Sequence, residues 1–113
     1  MDFNQYQKAS QQTAKYPNMG DNIPYLALGL TEEAGEVAGK IKKLQRDHGI
    51  DSVADLTEPL RADLIKELGD VLWYASQLAT ELGVDFATVA QTNLDKLQSR
   101  RERDVLNGDG DNR

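Results

Sequence analysis

An all-α fold is predicted for this chain, on three observations. Apolar residues recur at three- and four-residue spacing along two long segments. Proline and glycine fall at segment borders rather than inside them. No stretch alternates in the two-residue rhythm of a half-buried strand. The expected architecture is an antiparallel bundle of three or four main helices, completed by oligomerisation. The chain has 113 residues, of which 39% are hydrophobic and few aromatic, so one small aliphatic core is all it can build.

Asp2 is placed to cap a first helix reaching about Tyr16, with Phe3, Tyr6 and Thr13 on one side. Turn residues from Pro17 to Asn22 make a loop. Pro24 suits the first turn of a second helix, which runs to about Asp47 and stops before Gly49. Its stripe is Leu26, Leu30, Val37, Ile41 and Leu44. Residues 48–58 form a connector with a short turn around Val53–Leu56. Thr57 and Pro59 open a third helix, with Leu64, Leu68, Val71, Leu72, Ala75, Ala79 and Leu82 as its stripe and Gly83 at its end. Asp85 is expected to cap a fourth, which turns Phe86, Val89, Ala90, Leu94 and Leu97 inward. Residues 1–106 thus make the domain, and 107–113 a polar, Gly-rich tail that is mobile unless something holds it.

Composition narrows the chemistry. Without cysteine there is no thiolate site, disulfide or thiol nucleophile, and His48 is the single histidine. A di-iron bundle needs Glu-x-x-His pairs on two helices, which His48 alone does not supply. His48 reads as a capping or surface residue. A net charge of −6 argues against binding a nucleic acid polymer or an anionic membrane. The first residues lack the basic and apolar regions of a signal peptide, and no segment has the length of an apolar span. The expected location is cytoplasmic.

The carboxylates carry the functional signal. On a helical wheel Glu33 falls inside the apolar arc of the second helix, with Glu36 and Lys40 on its flank and Glu32 further round. On the third helix Glu67, Asp70 and Tyr74 share one flank. Each helix therefore carries two acids one turn apart. At about 6 Å and an effective dielectric of about 20, one such like-charge contact costs roughly 3 kcal/mol. A buried carboxylate has to be paired, protonated or bound to metal. Two divalent cations neutralise four acids, and an all-oxygen ligand set favours Mg²⁺, with Mn²⁺ able to substitute. Such a centre suits phosphate chemistry. On the fourth helix Asn93, Lys96 and Arg100 group on one side as counter-charge, and Lys40 and Lys43 extend the Glu33/Glu36 flank. In the early loop Asn22 is the polar side chain best placed to reach a base.

Leu30-Thr31-Glu32-Glu33-Ala34-Gly35-Glu36-Val37 and Glu67-Leu68-Gly69-Asp70-Val71-Leu72-Trp73-Tyr74 resemble the E-E-x-x-E and E-x-x-D pattern of the MazG-like, all-α nucleotide pyrophosphohydrolases. Asn93-x-x-Lys96-Leu97-x-x-Arg100 is similar to that family's downstream segment, and Gly110-Asp111-Asn112-Arg113 to the ending of a small single-domain branch. The resemblance covers residues 23–113. It implies hydrolysis of an NTP or dNTP to the monophosphate and pyrophosphate. It implies that Glu33, Glu36, Glu67 and Asp70 bind two or more Mg²⁺ ions, and that Glu32 activates water or helps hold a further ion. Asn93, Lys96 and Arg100 would contact phosphates, and Tyr74 the base or sugar. Family members form dimers or tetramers, often with sites between subunits. Two departures stand out: 30 residues separate Glu36 from Glu67, slightly more than usual, and Arg101 replaces a common aromatic. A deoxynucleotide is the expected substrate, dGTP slightly ahead. The alternative reading is a helical module that binds nucleotide or oligomerises without catalysis. Trp73 lies off both the core stripe and the acidic flank, which points to a subunit contact rather than base stacking.

Overall fold

The computed structural model describes all 113 residues and contains four α-helices and no strand. Helix α1 is Phe3–Ser10, α2 is Ile23–His48, α3 is Glu58–Glu81 and α4 is Phe86–Glu102. Single 3₁₀ turns occupy Gln11–Thr13 and Val53–Asp55.

The borders follow local chemistry. Asp2 and Gln5 satisfy each other's backbone N–H groups at the start of α1. Asn22 caps α2 by accepting from the Tyr25 N–H, and Gly49 ends it at φ 64°, where a side chain would be strained. Helix α1 stops at Ser10, short of the expected Tyr16. The Trp73 indole donates to Thr13 Oγ1 at 2.8 Å and the Ser10 carbonyl at 3.3 Å, fixing the tighter turn. Pro17 in turn disfavours a helical Tyr16. Trp73 therefore joins α3 to the first segment of its own chain.

Helices α2 and α3 make the main pairing, and α1 packs across α3. Leu26 and Ala79 are buried between them, but so are Ser76 and Gln77. Those two were outside the expected apolar stripe. Ser10 Oγ lies 3.1 Å from Ser76 Oγ and accepts from Gln77 Nε2 at 2.8 Å, so the polar atoms are satisfied by α1.

Helix α4 is joined differently from the expected way. Asp85 makes no side-chain cap. The free N–H of Phe86 donates to Gln7 Oε1 at 2.9 Å, and that of Ala87 to Asn4 Oδ1 at 3.0 Å. Gln7 Nε2 also donates to Thr80 Oγ1 and to the Val84 carbonyl. Phe86 is buried edge-on against Phe3, but beyond it α4 leaves the other helices. Leu94 is 59% exposed, and Val89 and Leu97 are open as well, contrary to the expected inward face. On α3, Leu68, Leu72 and Leu82 of the expected stripe are likewise open. The radius of gyration is 17.0 Å, against about 13 Å for a compact chain of this length. One chain thus shapes an open frame rather than a closed bundle.

The tail folds back on α4. Arg100, only 5% exposed, donates to the carbonyls of Gly110 and Asp111 and to Asp111 Oδ1, which also accepts from Lys96 Nζ at 3.3 Å. Positive φ values at Gly108 and Gly110 make the reversal possible.

Candidate active site

The site lies on the α2/α3 pair. Glu33 projects from the buried side of α2, and Glu67 and Asp70 stand one turn apart on α3. One carboxylate oxygen from each of the three lies within 4.8 Å of the others. Glu33 and Glu67 are half-buried and Asp70 faces solvent. The Glu33 carboxyl titrates above its ordinary value, chiefly through burial, then through the charges of Asp70, Glu32, Glu67 and Glu36.

A single base answers these acids directly. Lys40 Nζ lies 2.8 Å from Glu67 Oε1, and that hydrogen bond raises the lysine's pKa. Three converging carboxylates against one lysine leave negative charge uncompensated. Their hard oxygen donors fit a divalent cation of the Mg²⁺ or Mn²⁺ type.

Glu36 is exposed and stands on the rim, outside the trio, close enough to be felt by Glu33 and Lys40. Glu32 is exposed beside Glu33. Tyr74 rises one turn beyond Asp70. Its hydroxyl is raised by burial first, with Tyr25 and Glu33 among its neighbours. The Tyr74 ring lies flush against Gly29, where any β-carbon would overlap it. Glycine is what lets the ring sit between the helices.

The remaining residues lie elsewhere. Asn22 is engaged by its own chain: Oδ1 caps α2, and Nδ2 donates to the Pro17 carbonyl at 2.6 Å. Asn93, Lys96 and Arg100 follow α4, whose main contacts are with α1 and α3 rather than α2. Lys96 and Arg100 are held by Asp111. Not assigned to the site from the sequence were Tyr25, its second tyrosine, and Tyr6, which is close enough to Asp70 to sense its charge. Tyr25 sits at the start of the same helix as Glu33, about two turns away, and Tyr6 on α1, so only the packing of the helices brings both to the site.

Residues 23–105 match the MazG nucleotide pyrophosphohydrolase domain, and the span contains all five acids. The chain belongs to the MazG nucleotide pyrophosphohydrolase family. It is also 50% identical over 113 residues to the Gene 37 protein of Mycobacterium phage L5, covering 96% of each chain. No solved structure matches. Membership of the MazG family supports a hydrolase acting on nucleotides. It agrees with the all-helical fold, in which no helix is long and apolar enough to cross a membrane.

Proposed function

We propose that this MazG-family chain cleaves a nucleoside or deoxynucleoside triphosphate between its α- and β-phosphates, giving the monophosphate and pyrophosphate. The observation that carries the reading is the convergence of Glu33, Glu67 and Asp70 from two helices to within 4.8 Å, one of them rooted in an apolar stripe. Glu33, Glu67 and Asp70 would hold Mg²⁺, or Mn²⁺ in its place, with Glu36 available for a second ion. Bound there, the metal supplies charge neutralisation and polarises phosphate oxygens.

The chain's own residues account for the rest. Glu32 accepts a proton from the water that attacks the α-phosphorus. The bond from that phosphorus to the bridging oxygen breaks, and pyrophosphate leaves with the electron pair. Lys40 steadies Glu67 and offsets phosphate charge. Asn93, Lys96 and Arg100 bind the leaving phosphates, with Lys96 and Arg100 released from Asp111 for that role. Because α4 turns away from α2, these residues serve the acids of a second copy in a homo-oligomer. A trough of about 460 Å³ lined by Leu94, Leu97 and Leu106 and the open Leu68 and Leu72 offer apolar surface for that assembly. A deoxynucleotide, dGTP slightly ahead, is the substrate we favour.

The test is incubation of purified protein with the full set of NTPs and dNTPs plus Mg²⁺. Pyrophosphate release is expected. Orthophosphate alone, or no product from any nucleotide, overturns the reading.

A further inference from the structure

The proposed chemistry leaves Glu81 unused. It occupies the last turn of α3, which carries no basic residue, and a carboxylate there opposes the helix dipole. Three donors compensate for that position. Tyr16 donates its hydroxyl to Glu81 Oε1 at 2.5 Å, Gly20 its N–H to the same oxygen at 2.8 Å, and Asn22 its N–H to Oε2 at 3.2 Å. One side chain thus ties down the loop before α2 at three points.

What the loop carries leads to the site. The Tyr16 ring stacks on Tyr25 with centroids 5.6 Å apart and planes 14° from parallel. Tyr25 neighbours Tyr74, which is wedged on Gly29 and close enough to Glu33 to sense its charge. A line of neighbouring side chains therefore runs from Glu81 through Tyr16 and Tyr25 to Tyr74, beside the acids.

The α2/α3 pair also has unlike ends. Lys40 stands beyond Glu67 towards the connector, while Tyr74 and Tyr25 stand on the other side of the acids. A nucleoside triphosphate placed with its reacting phosphorus at the acids puts its terminal phosphates at the lysine end. Its base and sugar then meet the tyrosines, and Tyr25, stacked on Tyr16 yet 41% exposed, offers aromatic surface to a planar ring.

We infer that Glu81 is a positioning residue for nucleoside recognition, its carboxylate holding the 16–25 segment so that Tyr25 and Tyr74 present a preset aromatic wall to the base. The inference rests on the proposed nucleotide reaction, and its test separates the two. Glu81→Ala, Glu81→Gln and Tyr16→Phe are compared with the unaltered protein in three measurements. These are pyrophosphate release across the nucleotide panel, calorimetric binding of the four deoxynucleoside monophosphates in EDTA, and hydrogen exchange at the Gly20 and Asn22 amides.

For Glu81→Ala the expected result is a KM raised about tenfold with kcat within about threefold, since a loosened wall costs binding rather than chemistry. The kcat/KM values for different bases converge, monophosphate binding weakens in step, and the two amides exchange faster. Glu81→Gln keeps acceptor oxygen but cannot satisfy all three donors, so it recovers part of each effect. If Glu81→Ala fails to fold, Tyr16→Phe keeps the stacked ring and loses one hydrogen bond, with KM expected to rise about two- to threefold. Base preference and monophosphate affinity unchanged in the folded variants overturn the inference, as does a fall in kcat shared equally by every substrate. Absence of pyrophosphate release from the unaltered protein refutes the proposed reaction instead, and monophosphate binding and exchange still decide the role of Glu81.

Discussion

The α2/α3 pair and α4 are both amphipathic, yet they end in opposite states. Between α2 and α3 the chain gathers acids that repel one another, two half-buried and one exposed. On α4 it gathers bases and pairs two of them, Lys96 and Arg100, with Asp111 of its own tail. The first region has charge in want of a partner, and the second has found one internally. A function that joins them needs both states to change together: cations delivered to the acids, and Asp111 withdrawn from Lys96 and Arg100.

The sharpest way to break this contrast is Glu67→Gln. Removing one of the three converging carboxylates should lower pyrophosphate release by about 10³-fold, read against Mn²⁺ affinity measured by calorimetry. Retained turnover would falsify the role given to the trio. The next experiment joins the two regions. Glu67→Gln protein is mixed with a Lys96→Ala/Arg100→Ala variant after separation and reassembly of the subunits. If α4 serves a neighbouring copy, mixed dimers regain one intact site, about a quarter of normal activity in a random mixture. No recovery, with mixing verified by mass spectrometry, places all groups of a site on one chain.

Two smaller effects probe the frame. Gly29→Ala drives a methyl into the Tyr74 ring and should cost about 1–3 kcal/mol in denaturant unfolding, with a larger penalty in KM than in kcat. Gln7→Ala removes a cap and two further bonds from the α1/α3/α4 joint, worth about 1–2 kcal/mol by the same assay. The smallest effect is in acid. Hydrogen bonds from Tyr16, Gly20 and Asn22 hold the Glu81 carboxyl below its ordinary 4.5. A depressed folded value gives stability that is present above 4.5 and lost as pH falls through the lower value. Glu81→Gln should therefore lose less Tm than the unaltered protein between pH 5 and pH 3. Parallel curves would show that the clamp has no ionic part.

Periodicity made the helices legible, because one helix can be read from its own residues. Glu33 stood out for the same reason: an acid inside an apolar arc is visible on a single wheel. What a wheel lacks is the register between helices. It put Glu36 on the flank of the arc that holds Glu33 and paired the two, whereas the packing of α2 on α3 brings Glu33 to Glu67 and Asp70 and leaves Glu36 at the rim. It also read Leu68, Leu94 and Leu97 as core, although their burial needs surface that one chain does not provide. Side chains joining distant segments were hidden most completely. Gln7 and Glu81 look like ordinary helix residues, and Trp73 like a subunit contact, until their partners, more than 55 positions away, are in place.

Gln7 also separates two kinds of border. The family match begins at residue 23, but the pin that sets α4 against α3 sits at residue 7, and the clamp on the loop engages residue 16. A fragment excised at the family limits would keep the five acids of the site and lose the pin that aims the basic helix. For anyone transplanting or shortening this domain, the mechanical unit is larger than the span of the family match.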